Sequence, residues 1–297
     1  MARPLAPDEM YPAGVAGVST RIVSLSTGVR IRVAESGANH ARPIVLLHGW
    51  AATIYTFRHA LERLPAQGFR VIAPDMRGFG LSDKPKSRNS YSLDAYLDDL
   101  AALLDTLELE RVILGGQSMG GGASLHFALR YPRRVSHLVL INPTGIAPVS
   151  FVTMMRLVPQ RFVNAFGRRL APRLIVELIL RHIAYGDAAL VTDQTVQEYW
   201  SPTQLPGFVR VGRAALSEFS WEPVAPTVLE TLPVPSVVIL GKQDRLIRDA
   251  EPKARAIRSA DIHVLTGGHC VHEEHPDEVY PLIASFLQRP APDVQAP

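Results

Sequence analysis

One stretch of the 297-residue chain carries residue types suited to nucleophilic catalysis: Gly116-Gln117-Ser118-Met119-Gly120, after the apolar run Val112–Leu114 and before the helical pattern Ala123–Arg130. A Gly-x-Ser-x-Gly between a strand and a helix reads as a nucleophile elbow, in which the glycines permit a tight turn and the serine hydroxyl stands exposed. The helix beyond it turns its amide groups and positive dipole end toward the same point. A serine hydroxyl is a poor nucleophile at neutral pH, so it needs a base, and the base needs an orienting acid. The chain offers both at strand ends. Gly241-Lys242-Gln243-Asp244 follows the run Val237–Leu240, and Gly267-Gly268-His269 follows Ile262–Leu265. His272 and His275 compete with His269, but they fall in the polar approach to a final helix and read as solvated or helix-capping. Asp249 and Asp261 compete with Asp244, yet the first reads as a helix cap and the second opens a strand. The segment after the preceding strand, Asn142-Pro143-Thr144-Gly145, offers no carboxylate.

Those residues need a frame. Arg21–Leu25 and Val29–Glu35 read as two strands joined through Ser26-Thr27-Gly28, with glycine where a positive φ is called for. Further short apolar runs at Ile44–Leu47, Val71–Pro74, Val112–Leu114, Leu138–Ile141, Val237–Leu240 and Ile262–Leu265 do not alternate, as expected of strands covered on both faces. Between two of them, Leu93, Leu97, Leu100, Leu104 and Leu107 form one helical stripe with Ser92 as N-cap. Strand alternating with helix predicts a mainly parallel sheet flanked by helices. The rhythm breaks between Ile146 and Leu232. There the pattern Leu170, Leu174, Leu178, Arg181, with Ile175, Ile179 and Ile183 beside it, is helical, interrupted at Pro159, Pro172, Pro202 and Pro206. The chain therefore divides into a core (1–145), a helical cap (146–232), a second core part (233–289) and a tail (290–297) that reads as disordered.

Composition narrows the function classes. With 31 Lys plus Arg against 28 Asp plus Glu the charge is +3, too small to imply a nucleic-acid partner, and only Lys84, Lys86, Lys242 and Lys253 are lysines. The arginines are spread without a dense tract and read as ordinary surface. Hydrophobic residues at 47% and charged ones at 20% suit a globular protein. The single cysteine, Cys270, excludes an intrachain disulfide and a Cys-ligated metal site. No run approaches the roughly 18 apolar residues of a membrane span, and residues 1–14 lack the apolar run of a signal peptide. The expectation is a cytoplasmic enzyme acting on a small molecule, without cofactor or metal, and with room for a homodimer.

With His48-Gly49-Trp50, the stretch Asp75-Met76-Arg77-Gly78-Phe79-Gly80-Leu81-Ser82-Asp83-Lys84-Pro85, the elbow, Gly241–Asp244, and Gly268-His269 followed by Glu274 and Pro276, the sequence resembles the α/β-hydrolase superfamily. The order Ser118, Asp244, His269 is that family's order. The resemblance implies an α/β-hydrolase fold: a mainly parallel eight-stranded sheet flanked by helices, with a helical cap inserted after the sixth strand. It also implies an oxyanion hole from the backbone amides of Trp50 and Met119, with His48 holding the loop and Arg77, Asp83 and Lys84 shaping a loop.

The nucleophile separates subfamilies. Asp75–Pro85 resembles epoxide hydrolases and haloalkane dehalogenases, which attack with a carboxylate where Ser118 stands. Cofactor-free haloperoxidase-type esterases are similar and share Ser, Asp and His. Gly120-Gly121, Phe127–Pro132 and Ile141–Gly145 resemble hydrolases that split the carbon–carbon bond of aromatic ring-cleavage products. Gln117, Cys270 and the loop Trp50-Ala51-Ala52-Thr53 depart from that group, which carries Asn, an aromatic residue and a glycine-rich loop at these places. Hydrolase-like small-molecule receptors form a third class, marked by very slow turnover. The expected activity is a carboxylic ester hydrolase acting on a small to medium, largely apolar ester or lactone. Phe151, Met154, Met155, Trp200, Phe208, Phe219 and Trp221 give the cap an apolar inventory.

Overall fold

The computed structural model describes residues 3–149, 152 and 172–290. All eight apolar runs become strands of one sheet in the order β1-β2-β4-β3-β5-β6-β7-β8. At one edge, β1 (Val18–Ser24) and β2 (Arg30–Ser36) form an antiparallel hairpin. The turn closes through the Leu25 amide on the Val29 carbonyl at 2.9 Å, with Gly28 at φ 81°. Leu25 thus lies in the turn, not in the strand where the apolar run had put it. β2 joins β4 (Phe69–Pro74) antiparallel. β3 (Arg42–Leu47), β4, β5 (Val112–Gln117), β6 (Val135–Ile141), β7 (Ser236–Gly241) and β8 (Ala260–Leu265) run parallel.

Both faces of the sheet are covered, which is why its runs do not alternate. Ile44 and Leu46 of β3 belong to the core that holds Leu61 of α1 (Arg58–Arg63). Val45 and Leu47 belong to the opposite core, with Leu97, Leu100 and Leu104 of α2 (Leu93–Thr106). The expected N-cap forms, the Ser92 hydroxyl accepting the Ala95 amide at 3.3 Å. Burying each such Leu or Ile contributes roughly 1.5–3 kcal/mol over leaving it exposed. The helix after the elbow, α3 (Met119–Arg130), packs so close to β3 that a Cβ on Gly120 would lie 2.0 Å from the Leu47 carbonyl oxygen.

Between β6 and β7 the described chain is helical. α4 (Arg173–Ile179) continues as a π-helical turn, Leu180–Ala184. α5 (Asp193–Trp200), α6 (Phe208–Glu218) and the short α7 (Pro226–Leu229) follow. Of the expected apolar inventory, Trp200, Phe219 and Trp221 are buried, and Phe219 packs on Trp221 with ring centroids 5.0 Å apart. Phe151, Met154, Met155, Pro159 and Leu170 lie outside the described residues, whereas the stripe residues Leu174, Ile175, Leu178 and Ile179 are exposed. Beyond β7 comes α8 (Ala250–Ala254), and beyond β8 come α9 (Val271–Glu274) and α10 (Pro276–Leu287). Asp249 occupies the N-cap position of α8 at φ 56°, but its side chain makes no capping bond. Among the described residues no helix is long and apolar enough to cross a membrane.

Candidate active site

Ser118 sits between the last residue of β5 and the first of α3 at φ 53°, ψ −119°. A non-glycine residue there stores about 1–3 kcal/mol of backbone strain, and the surroundings hold it. Its amide donates to the Ile141 carbonyl at 3.1 Å, and its carbonyl accepts the amides of Gly122 at 2.9 Å and Thr144 at 3.0 Å. Neighbouring strand β6 and its loop thus fix the turn that lifts the serine above the sheet.

Asp244 and His269 meet beyond the ends of β7 and β8. His269 Nδ1 and Asp244 Oδ2 lie 2.8 Å apart, and both side chains are buried. The other oxygen, Asp244 Oδ1, accepts the amides of Leu246 at 2.7 Å and Ile247 at 3.0 Å, so the carboxylate cannot swing away. With Nδ1 engaged, the imidazole has Nε2 left for proton transfer. The Gly49 backbone abuts the elbow: a Cβ there would lie 3.1 Å from Ser118 Cβ and 2.3 Å from Gln117 Oε1. This brings His48-Gly49-Trp50 beside Ser118 and the buried Met119 that opens α3.

His48 is fixed in one tautomer. Its Nε2 accepts the Met76 amide at 2.9 Å, which leaves the proton on Nδ1 to donate to the Gly49 carbonyl at 2.7 Å. Burial pushes its pKa down, consistent with a neutral ring that props the loop. The residues expected to shape the next loop are also paired. Arg77 Nε donates to Asp99 at 2.6 Å, Asp83 accepts Arg30 Nη2 at 3.0 Å, and Lys84 Nζ donates to the Gly80 carbonyl at 2.7 Å.

Two amides that the sequence reading left without a role complete the scaffold. Asn142, buried at the end of β6 with φ 39°, donates through Nδ2 to the carbonyls of His269 at 3.0 Å and Gly268 at 3.1 Å. Its Oδ1 accepts the Gly241 amide at 2.9 Å. Gln117 Nε2 adds a bond of 3.1 Å to the His269 carbonyl. The ends of β5, β6 and β7 are thereby tied to the loop that carries the histidine. The signal available in the sequence was an Asn directly after a strand, a residue that tolerates positive φ.

His272 is neither solvated nor a cap. It is fully buried, its Nε2 lies 3.0 Å from the Thr56 hydroxyl, and burial pushes its pKa down to about 4. Next to it Glu273 is the hub of a buried network: Oε1 accepts the Thr56 hydroxyl at 2.8 Å and Tyr199 at 2.5 Å, while Oε2 accepts Tyr185 at 3.0 Å and Arg58. Burial pushes this carboxyl up, but the Arg58 guanidinium, the neighbouring His272 and the hydrogen bonds from Tyr199 and Arg58 together outweigh it and hold the pKa below the usual value. Arg58 and the buried Arg32 and Arg77 are therefore core arginines, contrary to a uniformly surface reading. Nothing in their sequence spacing marks them.

Residues 42–276 match the model of the alpha/beta hydrolase fold family. The chain is 29% identical over 286 residues to 2-hydroxymuconate semialdehyde hydrolase of Pseudomonas sp. (strain CF600), covering 89% of this chain and 92% of the relative. Among solved structures it is similar to a meta-cleavage product hydrolase from Pseudomonas fluorescens IP01, with TM-score 0.76 and 25% identity over 90% of this chain and 97% of the other. A thermophilic esterase from Thermogutta terrifontis aligns with TM-score 0.74 and 25% identity over 91% and 98% of the two chains. With an eight-stranded sheet of this order, a strained serine elbow after β5 and a family match across most of its length, this chain belongs to the alpha/beta hydrolase fold family.

Proposed function

We propose that the protein is a serine hydrolase that cleaves a small to medium, largely apolar carboxylic ester or lactone through an acyl-enzyme. The observation that carries this reading is the 2.8 Å contact between His269 Nδ1 and Asp244, at the same end of the sheet as the strained Ser118. In the proposed reaction Ser118 Oγ attacks the acyl carbonyl while His269 Nε2 takes the hydroxyl proton. Asp244 keeps the ring in the tautomer that leaves Nε2 free and balances the imidazolium. The backbone amides of Met119 and Trp50 receive the oxyanion, whose charge develops only on the way to the tetrahedral intermediate. His269 then returns the proton to the departing alkoxide, the ester bond breaks, and water repeats the sequence on the acyl-enzyme to release the acid. No step calls for a metal or an organic cofactor. Residues 146–232 serve as the cap over the serine, and the partner is a small molecule.

A second reading is hydrolysis of a carbon–carbon bond in an aromatic ring-cleavage product. It is favoured by the similarity to 2-hydroxymuconate semialdehyde hydrolase and to the meta-cleavage product hydrolase. Gln117 bears on this choice, because its side chain supports the His269 carbonyl at the position next to the nucleophile. The deciding experiment is a screen of aryl esters graded by acyl length, together with lactones and a ring-cleavage dienoate. The ester reading expects turnover that varies with acyl length, abolished in Ser118→Ala. Rapid cleavage of the dienoate without ester or lactone turnover would transfer the conclusion to the carbon–carbon hydrolase.

A further inference from the structure

Trp50 has two ends with different attachments. Its backbone lies in the loop beside Ser118, followed by Ala51 at φ 61°, a left-handed conformation that costs energy for a residue with a side chain. Its indole Nε1 donates to the Gly212 carbonyl of α6 at 2.9 Å, a bond spanning 162 residues of sequence. The ring also rests against the helix backbone: a Cβ on Gly212 would lie 3.3 Å from Trp50 Cζ2 and 3.8 Å from Cε2. α6 is itself seated on the core. Arg210 donates to the carbonyls of Pro85 at 2.5 Å and Lys84 at 2.9 Å. Val211 is fully buried against Gly78 and Tyr91, since a Cβ on Gly78 would meet Val211 Cγ1 at 2.4 Å. One rigid side chain therefore links a well-anchored helix of the inserted segment to the strained loop beside the elbow.

From this we infer that Trp50 is a positioning residue whose indole, held by Gly212, sets the aim of its own backbone amide at the oxyanion. The inference rests on the acyl-enzyme reading above. Trp has few rotatable bonds, so a displacement at the ring tip is transmitted to the backbone instead of being absorbed. An amide that strengthens its bond only as charge develops on the substrate oxygen acts on kcat, whereas a pocket wall acts on KM. Small misplacement of such a donor is costly because the loss falls on the transition state.

The test uses Trp50→Phe, Gly212→Ala and the double variant on the best ester of the screen. Phe keeps the apolar contact and loses the donor. Ala at 212 favours the helix over glycine, so α6 should not unfold, yet its methyl presses on the indole. Each single variant is expected to lower kcat 5- to 50-fold with KM changed less than about threefold and thermal stability retained. The double variant should be no slower than Trp50→Phe alone, because the methyl then has no indole to displace. If either single variant keeps kcat within twofold of the parent, if only KM changes, or if the two losses multiply, the inference is overturned. Labelling of Ser118 by an organophosphonate in the parent separates the two levels. Labelling with unaltered Trp50→Phe kinetics refutes this inference alone, and no labelling refutes the reading beneath it.

Discussion

Glu274 Oε1 accepts the amide of Gly268 at 2.6 Å, one residue before His269, while its Oε2 accepts the amides of Gly186 at 2.7 Å and Asp187 at 3.1 Å. One carboxylate thereby fastens the histidine loop to the segment that follows α4. The two backbones touch there: the Cys270 amide donates to the Ala184 carbonyl at 3.0 Å, and a Cβ on Gly268 would lie 2.4 Å from the Gly186 nitrogen. Glu274→Gln is expected to turn one acceptor into a donor facing N–H groups, at a cost of about 1–3 kcal/mol. The melting temperature should fall by roughly 2–10 °C, and turnover should fall with it as the His269 loop loosens. A variant with parental melting temperature and turnover would show that the clasp carries no weight.

Ser118→Ala should abolish turnover by at least about three orders of magnitude, because nucleophile and base act as one unit. Folding should survive, since the turn is held through the backbone of Ser118 and not its hydroxyl. Peptide mapping after treatment with an organophosphonate checks the assignment in the parent, and a modified residue other than Ser118 contradicts it.

Asp244→Asn should keep the loop, because an amide oxygen still accepts the Leu246 and Ile247 amides that Oδ1 accepts now. Its NH2 would then face His269 Nδ1 and favour the tautomer with the proton on Nε2, where a base is required. The expected loss is several orders of magnitude in kcat at unchanged melting temperature. Near-normal kcat in this variant, set against a large loss in Asp249→Asn or Asp261→Asn, would move the orienting role elsewhere.

Glu198 of α5 gives a stability prediction with a definite pH window. Its carboxyl accepts the Tyr11 amide at 3.1 and 3.2 Å; burial pushes its pKa up to about 7, with that amide, Arg32 and Arg58 pulling down and Asp75 pushing up. The pKa in the fold is above the value of about 4.3 in an unfolded chain. The associated stability is therefore fully present below that value and is lost as pH rises through about 7. The loss reaches on the order of 3 kcal/mol at full ionisation. Glu198→Gln does not titrate and still offers an acceptor. Its melting temperature, measured from pH 5 to 9, should rise relative to the parent between about pH 5 and 7 and level off above that. A difference that stays flat over the lower interval would refute the prediction.

What could be read along the chain was whatever has a local cause. Strands covered on both faces must be continuously apolar, so Ile44–Leu47 and Val237–Leu240 announced themselves. The elbow was legible because only Gly120 lets α3 approach the Leu47 carbonyl so closely, and the Ser92 cap because the side chain that satisfies the helix start lies three residues from its partner. The pairings that fix the site have no such signature. Asn142 with His269, Glu274 with Gly186, Arg58 with Glu273 and Trp50 with Gly212 join residues 88 to 215 positions apart. Each exists because strand ends and inserted helices converge at one end of the sheet and leave buried polar groups that need partners. The same convergence took His272 from an expected solvated position into a buried network with Thr56. Residue type and order mark which groups can react. Which groups hold them still is decided by chain segments meeting across the sheet, where the cost of an unpaired buried donor or acceptor selects the contacts.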